Sequence, residues 1–363
     1  MLSKADDYPV HQRPEPIATA GTDRNFYDRY FFNAADPDRS HFVAAALGVY
    51  PHLNIIDAAV CWMVNGQQRS VFASRNMNME RMDTHAGPIC VEVIEPLRQL
   101  VLRLGETDGL SAELLFEGRH PPIEEPRFTL RQGPRTVMDV TRMTQNIVAT
   151  GHVTANGVRH AISGWRGTRD RSWGVRPIGA ADPQPAVPVA LPQFFWLWAP
   201  LNFAKHCLYF HSNDHADGSP WNRSALLVDL ESGAEVKLAA PEMQLTYRKG
   251  GRRIGQMTLS GNGPGGRVEV RLSGGMDFHM HGVGYGHPRY GHGVWRGDID
   301  VQTERFDSAG ADVTIPGNAH VQSLVSAELR LPDGSVHAGQ GVVEQLFIGP
   351  HAPSGFRDLF DPA

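Results

Sequence analysis

Turn dipeptides set between short alternating runs constrain this chain more than any other feature in it. Asn65-Gly66, Asp108-Gly109 and Asn156-Gly157 each separate two stretches in which apolar and polar residues alternate. Asn-Gly or Asp-Gly in a two-residue connection favours the left-handed dihedrals of a type I′ hairpin turn. The clearest hairpin, Gly151 to Ile162 around Asn156-Gly157, leads directly into the middle of the chain. His41 to Pro51, Asn54 to Val64, Gln68 to Ser74, Ile89 to Ile94, Gln99 to Leu104 and Leu110 to Glu117 read as strands by a period of two, without the spacing of an amphipathic helix. The texture recurs at Ala225 to Leu230, Glu242 to Tyr247, Gly255 to Ser260, Arg267 to Leu272, Val321 to Leu331 and Gly341 to Phe347. With 38 Gly and 26 Pro punctuating these runs, the sequence predicts an all-β protein of antiparallel barrels or sandwiches. Asp23 to Asn33 fits a short helix or an extended arm, and Gly133 to Ala149 shows no clear period.

A chain of 363 residues exceeds the usual size of one core, so two domains are expected. Pro177, Pro183, Pro185, Pro188 and Pro192 crowd a segment poor in large apolar residues, which reads as a semi-rigid linker. The boundaries follow as residues 1–180, a linker at 181–192, and residues 193–363. A net charge of -5, with Lys and Arg dispersed, argues against a nucleic-acid partner. No apolar run reaches the ~18 residues of a membrane span and the N-terminus lacks a signal-like core, so a cytoplasmic protein with no membrane span is expected. Cys61, Cys90 and Cys207 fit neither a disulfide framework nor a zinc pattern and read as buried thiols.

Three stretches concentrate chemistry. Gly164 to Pro177 holds two Trp and four Arg around Asp170. On a strand, Arg169, Arg171 and Trp173 share one face, and Asp170 and Ser172 the other. Asp170 then either belongs to a site or pairs with a neighbouring Arg to close the strand end. In Gln193 to Phe203, the run Phe194 to Trp198 is core if buried on both faces and a pocket wall if one-sided. Met276 to Gly297 contains four of the 17 His, and a strand through Asp277, His279 and His281 would align them as in a cupin-like metal site. His281 is followed by Gly-Val-Gly-Tyr-Gly with no completing carboxylate, so no metal and no cofactor are expected. The plainer reading is a hydrogen-bonded loop of Gly-flanked His and Tyr. There is no nucleophile elbow, Walker loop or dinucleotide fingerprint. His206, His211, Asp214 and His215 read as part of a surface loop.

Arg169-Asp170-Arg171-Ser172-Trp173-Gly174, the Pro-rich joint, Phe194 to Trp198 and Gly284-Tyr285-Gly286-His287-Pro288-Arg289-Tyr290-Gly291-His292-Gly293 lie in the order found in one group. Together they resemble the two-domain lipocalin-like superfamily that holds carotenoid 1,2-hydratases (hydroxyneurosporene synthases), AttH-type proteins and lipocalin-like Diels–Alderases, most closely its uncharacterised bacterial branch. The resemblance implies two lipocalin-like β domains side by side, an apolar cavity at or near their junction, and no cofactor. Where the hydratases carry Asp-His-x-Trp-Gly, this chain has Arg171 after Asp170, with Trp173 and Gly174 matching the remainder. An Arg keeps its proton and cannot replace His in a proton shuttle, but it can hydrogen-bond a carbonyl or developing oxyanion.

The expected function is a cofactor-independent hydratase, dehydratase or isomerase acting on a bulky apolar, terpenoid- or polyketide-like molecule with at least one oxygen. Arg171 and Trp173 would face the cavity and Asp170 would point away. Arg171 is the expected anchor, and His279, His281, Tyr285 or, if strand parity fails, Asp170 the acid–base group. Trp173, Phe195, Trp196, Trp198, His287 and Tyr290 would form the walls. Two rivals remain: a non-catalytic carrier of a lipophilic molecule, and a cupin-like metal enzyme using His279 and His281. A homodimer is allowed for.

Overall fold

The computed structural model describes residues 2–10, 23–133, 135–180, 191–312 and 315–362. Among them are strands, turns and short 3-10 segments but no α-helix. The strands are β1 (Phe26–Ala35), β2 (His41–Tyr50), β3 (Ile55–Val64), β4 (Gln67–Asn76), β5 (His85–Ala86), β6 (Ile89–Glu95), β7 (Gln99–Thr107), β8 (Leu110–Gly118), β9 (Ile123–Glu124), β10 (Phe128–Gln132), β11 (Arg135–Ala155) and β12 (Val158–Val175). They continue as β13 (Phe194–Phe203), β14 (His206–Asp214), β15 (Pro220–Asp229), β16 (Glu235–Lys237), β17 (Ala239–Tyr247), β18 (Ile254–Gly263), β19 (Gly266–His279), β20 (Ile299–Asp307), β21 (Val321–Arg330) and β22 (Val336–Ile348). The chain forms two compact units: the described residues of Met1–Val189 with His281–Phe306, and those of Ala190–Met280 with Asp307–Ala363. Of the expected linker, 181–190 lie outside the described residues.

In the first unit one antiparallel sheet runs β20-β4-β3-β2-β1-β12-β11-β8-β7-β6-β5 and curls around an apolar core. Its hairpins turn where the sequence places them: Asn65 and Gly66 have φ of 49° and 83°, Asp108 and Gly109 50° and 74°, and Asn156 and Gly157 51° and 78°. Tyr30, Phe32 and Ala34 of β1 point inward, where Phe32 stacks on Phe116 at 4.7 Å and Trp62 on Trp165 at 5.9 Å. Asp23 to Asn33, open between helix and arm in the sequence, supplies most of β1, paired on both sides by β2 and β12. Both its faces are buried, which removes the alternation that would have marked it. Of the stretch from Gly133 to Ala149, residues 135–149 belong to β11, a strand of 21 residues whose Thr144, Gln145 and Asn146 are all buried.

The second unit is a sheet ordered β16-β15-β14-β13-β22-β21-β19-β18-β17. Only Leu238 separates β16 from β17, and its N–H bonds the Ala225 carbonyl of β15 at 2.9 Å, so the two edges meet and the sheet nearly closes into a barrel. Phe195, Leu197, Ala199, Leu201 and Phe203 of β13 fill its core. His206 to Asp214 is not part of a surface loop: it is β14, buried throughout between β13 and β15. The turn, His215 to Ser219, begins only after this strand ends.

Candidate functional site

In the first unit the sheet has two buried polar regions, one on each face. Strand register decides which residues meet. Arg171 stands opposite Tyr30 and Met143, and Arg169 opposite Phe32 and Gln145, so both Arg point inward from β12 with the core residues. Trp173, opposite Asp28, shares that face but is only partly buried. Asp170 lies on the other face, opposite Phe31 and Thr144. Arg171 is fully buried, with Nη2 2.6 Å from Asp28 Oδ1 and its guanidinium 3.7 Å from the centre of the Tyr30 ring. Burial drives the Asp28 carboxyl up to about 7, although Arg171 opposes it.

On the outer face the chain returns after β19 as a 3-10 turn, Met280–Val283, and then as a loop rich in Gly and His. This turn breaks the alternation on which a His-x-His site depends, so His279 ends a strand while His281 sits in the turn. The aligned cupin-like arrangement of His279 and His281 is therefore not formed. Gly284 has φ of 93°, and a Cβ there would lie 2.8 Å from His292 Nε2, the nitrogen 2.9 Å from the Val283 carbonyl. Tyr285 meets Phe31 edge-on at 6.5 Å and receives the Arg29 guanidinium 5.0 Å from its ring centre. His287 and Tyr290 pack on Phe72 at 5.2 and 4.6 Å.

Beneath this loop lies Asp57, a carboxylate in the otherwise apolar run Ile55-Ile56-Asp57-Ala58-Ala59 of β3. Its Oδ2 accepts the Gly293 N–H at 2.6 Å and its Oδ1 the Tyr50 hydroxyl at 3.1 Å, while Arg29 Nη2 donates to that hydroxyl at 3.4 Å. Tyr50 reaches across Gly48, where a Cβ would come within 2.2 Å of its hydroxyl oxygen. Burial raises the Asp57 carboxyl to about 6 and pushes the Tyr50 phenol well above its usual range. Asp57 lines a cavity of about 10 Å³ with Ala46, Ala59, Phe72, Tyr290 and His292, room for about one water-sized sphere. Polar and apolar groups share the walls, and Asp57, Tyr290, His292 and Arg296 are the titratable residues among them.

His281, His287 and Glu304 form a neighbouring cluster whose possible ligand atoms lie within 4.8 Å of one another. His287 Nδ1 accepts the N–H groups of both Arg289 and Tyr290 at 3.0 Å, so in the neutral ring Nε2 carries the hydrogen, which faces Glu304 Oε2 at 3.1 Å. A metal on Nε2 would displace that hydrogen while Nδ1 stayed an acceptor, the reverse of the outer-nitrogen donation that orients a ligand His. The donor set does not fit a metal. Burial lowers His281 to about 4 and lowers His287 against the opposing pull of Glu304.

The second unit holds the aromatic run. Phe195 points into its core, stacked on Phe347 and His351 at 4.4 and 4.1 Å. Trp196 and Trp198 face the other way, and the Trp196 indole N–H donates to Glu344 Oε1 at 2.8 Å. Glu344 also meets His320 Nε2 at 2.9 Å and the Gln322 amide at 2.8 Å, and these partners hold its carboxyl below the usual range against the opposing effect of burial. Of the residues singled out from sequence, the first unit thus gathers Tyr285, His287 and Tyr290 on one face, with His281 beside them, and Arg171 with Trp173 on the other. Phe195, Trp196, Trp198 and His279 belong to the second unit. Asp57, Tyr50, Arg29, Glu304 and Glu344 were not singled out. The readable signal for Asp57 and Glu344 was a lone carboxylate inside an apolar strand.

These features define a lipocalin-like all-β protein. Two solved structures share the fold, both from the lipocalin-like hydratase superfamily. One, from Nitrosomonas europaea and assigned to the AttH type, is 14% identical, with 93% of this chain and 98% of that chain covered at a TM-score of 0.54. The other, kievitone hydratase from Nectria haematococca, is 10% identical, with 89% of each chain covered at a TM-score of 0.50. At these identities the likeness is one of fold. Curated protein sequences give no match. Residues 2–357 match a family of unknown function, DUF8625, and the chain belongs to that family.

Proposed function

We propose that this protein is a hydro-lyase that adds water to, or removes it from, a largely apolar terpenoid- or polyketide-like molecule, with Asp57 carrying the proton. The observation behind this reading is a buried carboxyl raised to about 6 at the wall of a cavity with room for about one water. A hydro-lyase needs a group that gives a proton to one carbon and a place from which water adds to the other. A carboxyl near 6 exchanges its proton close to neutral pH, where general acid–base catalysis is most effective. Tyr50 and the Gly293 N–H hold both oxygens of Asp57, and Arg29 braces Tyr50. In this scheme Tyr285, His287 and Tyr290 shape the cover, and the Asp28 partnership gives Arg171 a structural role. A carrier of a lipophilic molecule would need an apolar wall and would have no use for the convergence of Asp57, Tyr50 and Arg29. That kievitone hydratase has the same fold is in keeping with the proposal.

The test starts from molecules extracted from the purified protein and identified by mass spectrometry. Incubated with the protein in heavy-oxygen water, the substrate among them should take up heavy oxygen or lose water. Asp57→Asn keeps one acceptor, for Tyr50, turns its amide NH2 toward the Gly293 N–H, and should lower that rate by about 10² to 10⁴, the usual worth of a general acid or base. A rate that falls as pH rises through about 6 marks Asp57 as the acid, and the opposite slope marks it as the base. Full activity in Asp57→Asn would refute the assignment.

A further inference from the structure

The inner polar region of the first unit is closed by the chain's own N-terminal segment. Residues 2–10 form a single 3-10 turn, Lys4–Asp7, with short flanks, and among them only Asp7 and Pro9 are buried. Asp7 reaches the inward-facing groups of the sheet and is fully buried there. Its carboxylate receives Arg169 in a forked contact, Nη1 to Oδ1 at 2.6 Å and Nη2 to Oδ2 at 3.3 Å, and the Leu97 N–H also donates to Oδ2. Its carbonyl accepts the Tyr30 hydroxyl at 2.6 Å, and the Asp6 carbonyl accepts Arg171 Nε at 3.3 Å. The receiving groups are rigid: Arg169, Arg171 and Tyr30 are at most 1% exposed on central strands, and Gln145 fixes Arg169 Nε at 2.6 Å. The contrast matters physically. A forked guanidinium and a backbone N–H recognise a carboxylate in general, while the Tyr30 phenol holds the Asp7 backbone carbonyl, whereas the occupant is joined to a short segment whose Ser3, Lys4 and Ala5 are exposed.

We propose that this polar region of the first unit is a binding site for small carboxylates, and that Asp7 is a built-in ligand which an external carboxylate replaces. The apolar floor, where Tyr30 stacks with Phe32 at 6.3 Å and Phe32 with Phe116, suits a carboxylate on a short apolar stem. The site is independent of Asp57, which lies on the other face of the sheet.

Asp7→Gly empties the socket without touching the strands. Its melting temperature should fall below that of the parent, and acetate, propionate and butyrate should restore at least half of the loss saturably at constant ionic strength. Acetamide and chloride should not, and the parent, in which the tethered Asp7 competes, should respond to the same carboxylates only at far higher concentration. Asp7→Gly combined with Arg169→Met should lose the rescue. Equal rescue by acetamide, no saturable rescue, or rescue that survives Arg169→Met would overturn the proposal. So would an Asp7→Gly protein that fails to fold even in butyrate while Asp7→Asn folds, because the segment would then be a fixed structural element.

Discussion

Replacing Arg171 with Met keeps much of the side-chain stem and removes only the charge and its fork. If Arg171 were an open pocket anchor, this change would cost little stability. The structure gives another answer, because the guanidinium is fully buried, 2.6 Å from Asp28 and stacked over Tyr30. Breaking a buried pair by removing one member costs about 3 to 5 kcal/mol, because the remaining charge is stranded. In a domain of this size that corresponds to a melting shift of roughly 6 to 20 °C. The deficit must depend on pH. The Asp28 carboxyl stands near 7 in the folded protein against 3.8 as a free group, so at pH between these values the folded state holds a proton that the unfolded chain has released. Its protonation therefore favours folding at low pH, and the cost of ionising it is complete only above about 7. Without Arg171 that carboxyl rises further, at about 1.4 kcal/mol per unit. Thermal melts at about pH 5.5 and about pH 8.5 should show the larger deficit at the higher pH, and adding Asp28→Asn should recover much of it. Equal deficits at both pH values, or a double variant no more stable than Arg171→Met alone, would refute the reasoning.

Trp196→Phe keeps one aromatic ring but removes the indole's second ring with the N–H that reaches Glu344, leaving His320 and Gln322 to hold the carboxylate. A loss of about 1 to 2 kcal/mol in urea unfolding is expected, and a loss under about 0.3 kcal/mol would show that the bond contributes nothing net. Gly167→Ala should be more severe, since a Cβ there would sit 1.9 Å from the Asn33 carbonyl oxygen of the neighbouring strand and only backbone movement can relieve it. We expect at least about 3 kcal/mol, the upper end for an overfilled interior. Gly317→Ala, which meets nothing within 4 Å, is the control and should leave the melting temperature unchanged.

Alternation along a half-buried strand and turn dipeptides beside it were the two clearest signals in the sequence. Where one face meets water the alternation is visible, as in Leu110–Gly118, and the turn dipeptides set the register. β1 and β14 have neither signal. Each lies between two strands, with buried residues on both faces, so Asp23 to Asn33 stayed open and His206 to Asp214 passed for a loop. Parity on β12 was legible, because a strand leaves no other way to separate Arg171 from Asp170. The same rule failed at His279 and His281, because the strand stops between them at a place that no Pro or turn dipeptide marks.

The candidate site was less legible than the fold for a reason tied to the cost of burying charge. A carboxylate such as Asp57 is tolerated inside an apolar strand only if donors arrive to meet it, and those donors lie far away in sequence. Gly293 reaches Asp57 across 236 positions, and Arg169 reaches Asp7 across 162. Both buried polar regions of the first unit are thus completed by segments outside the strands, one from the N-terminus and one from the loop after β19. The strands alone would leave Asp57 without the Gly293 N–H and Arg169 without the Asp7 carboxylate. A strand-by-strand reading can therefore identify an isolated charge such as Asp57 as anomalous, but it cannot supply its partner. Such anomalies are where the sequence departs from what the fold alone requires, and Asp57 and Asp7 accordingly carry the two proposals made for this protein.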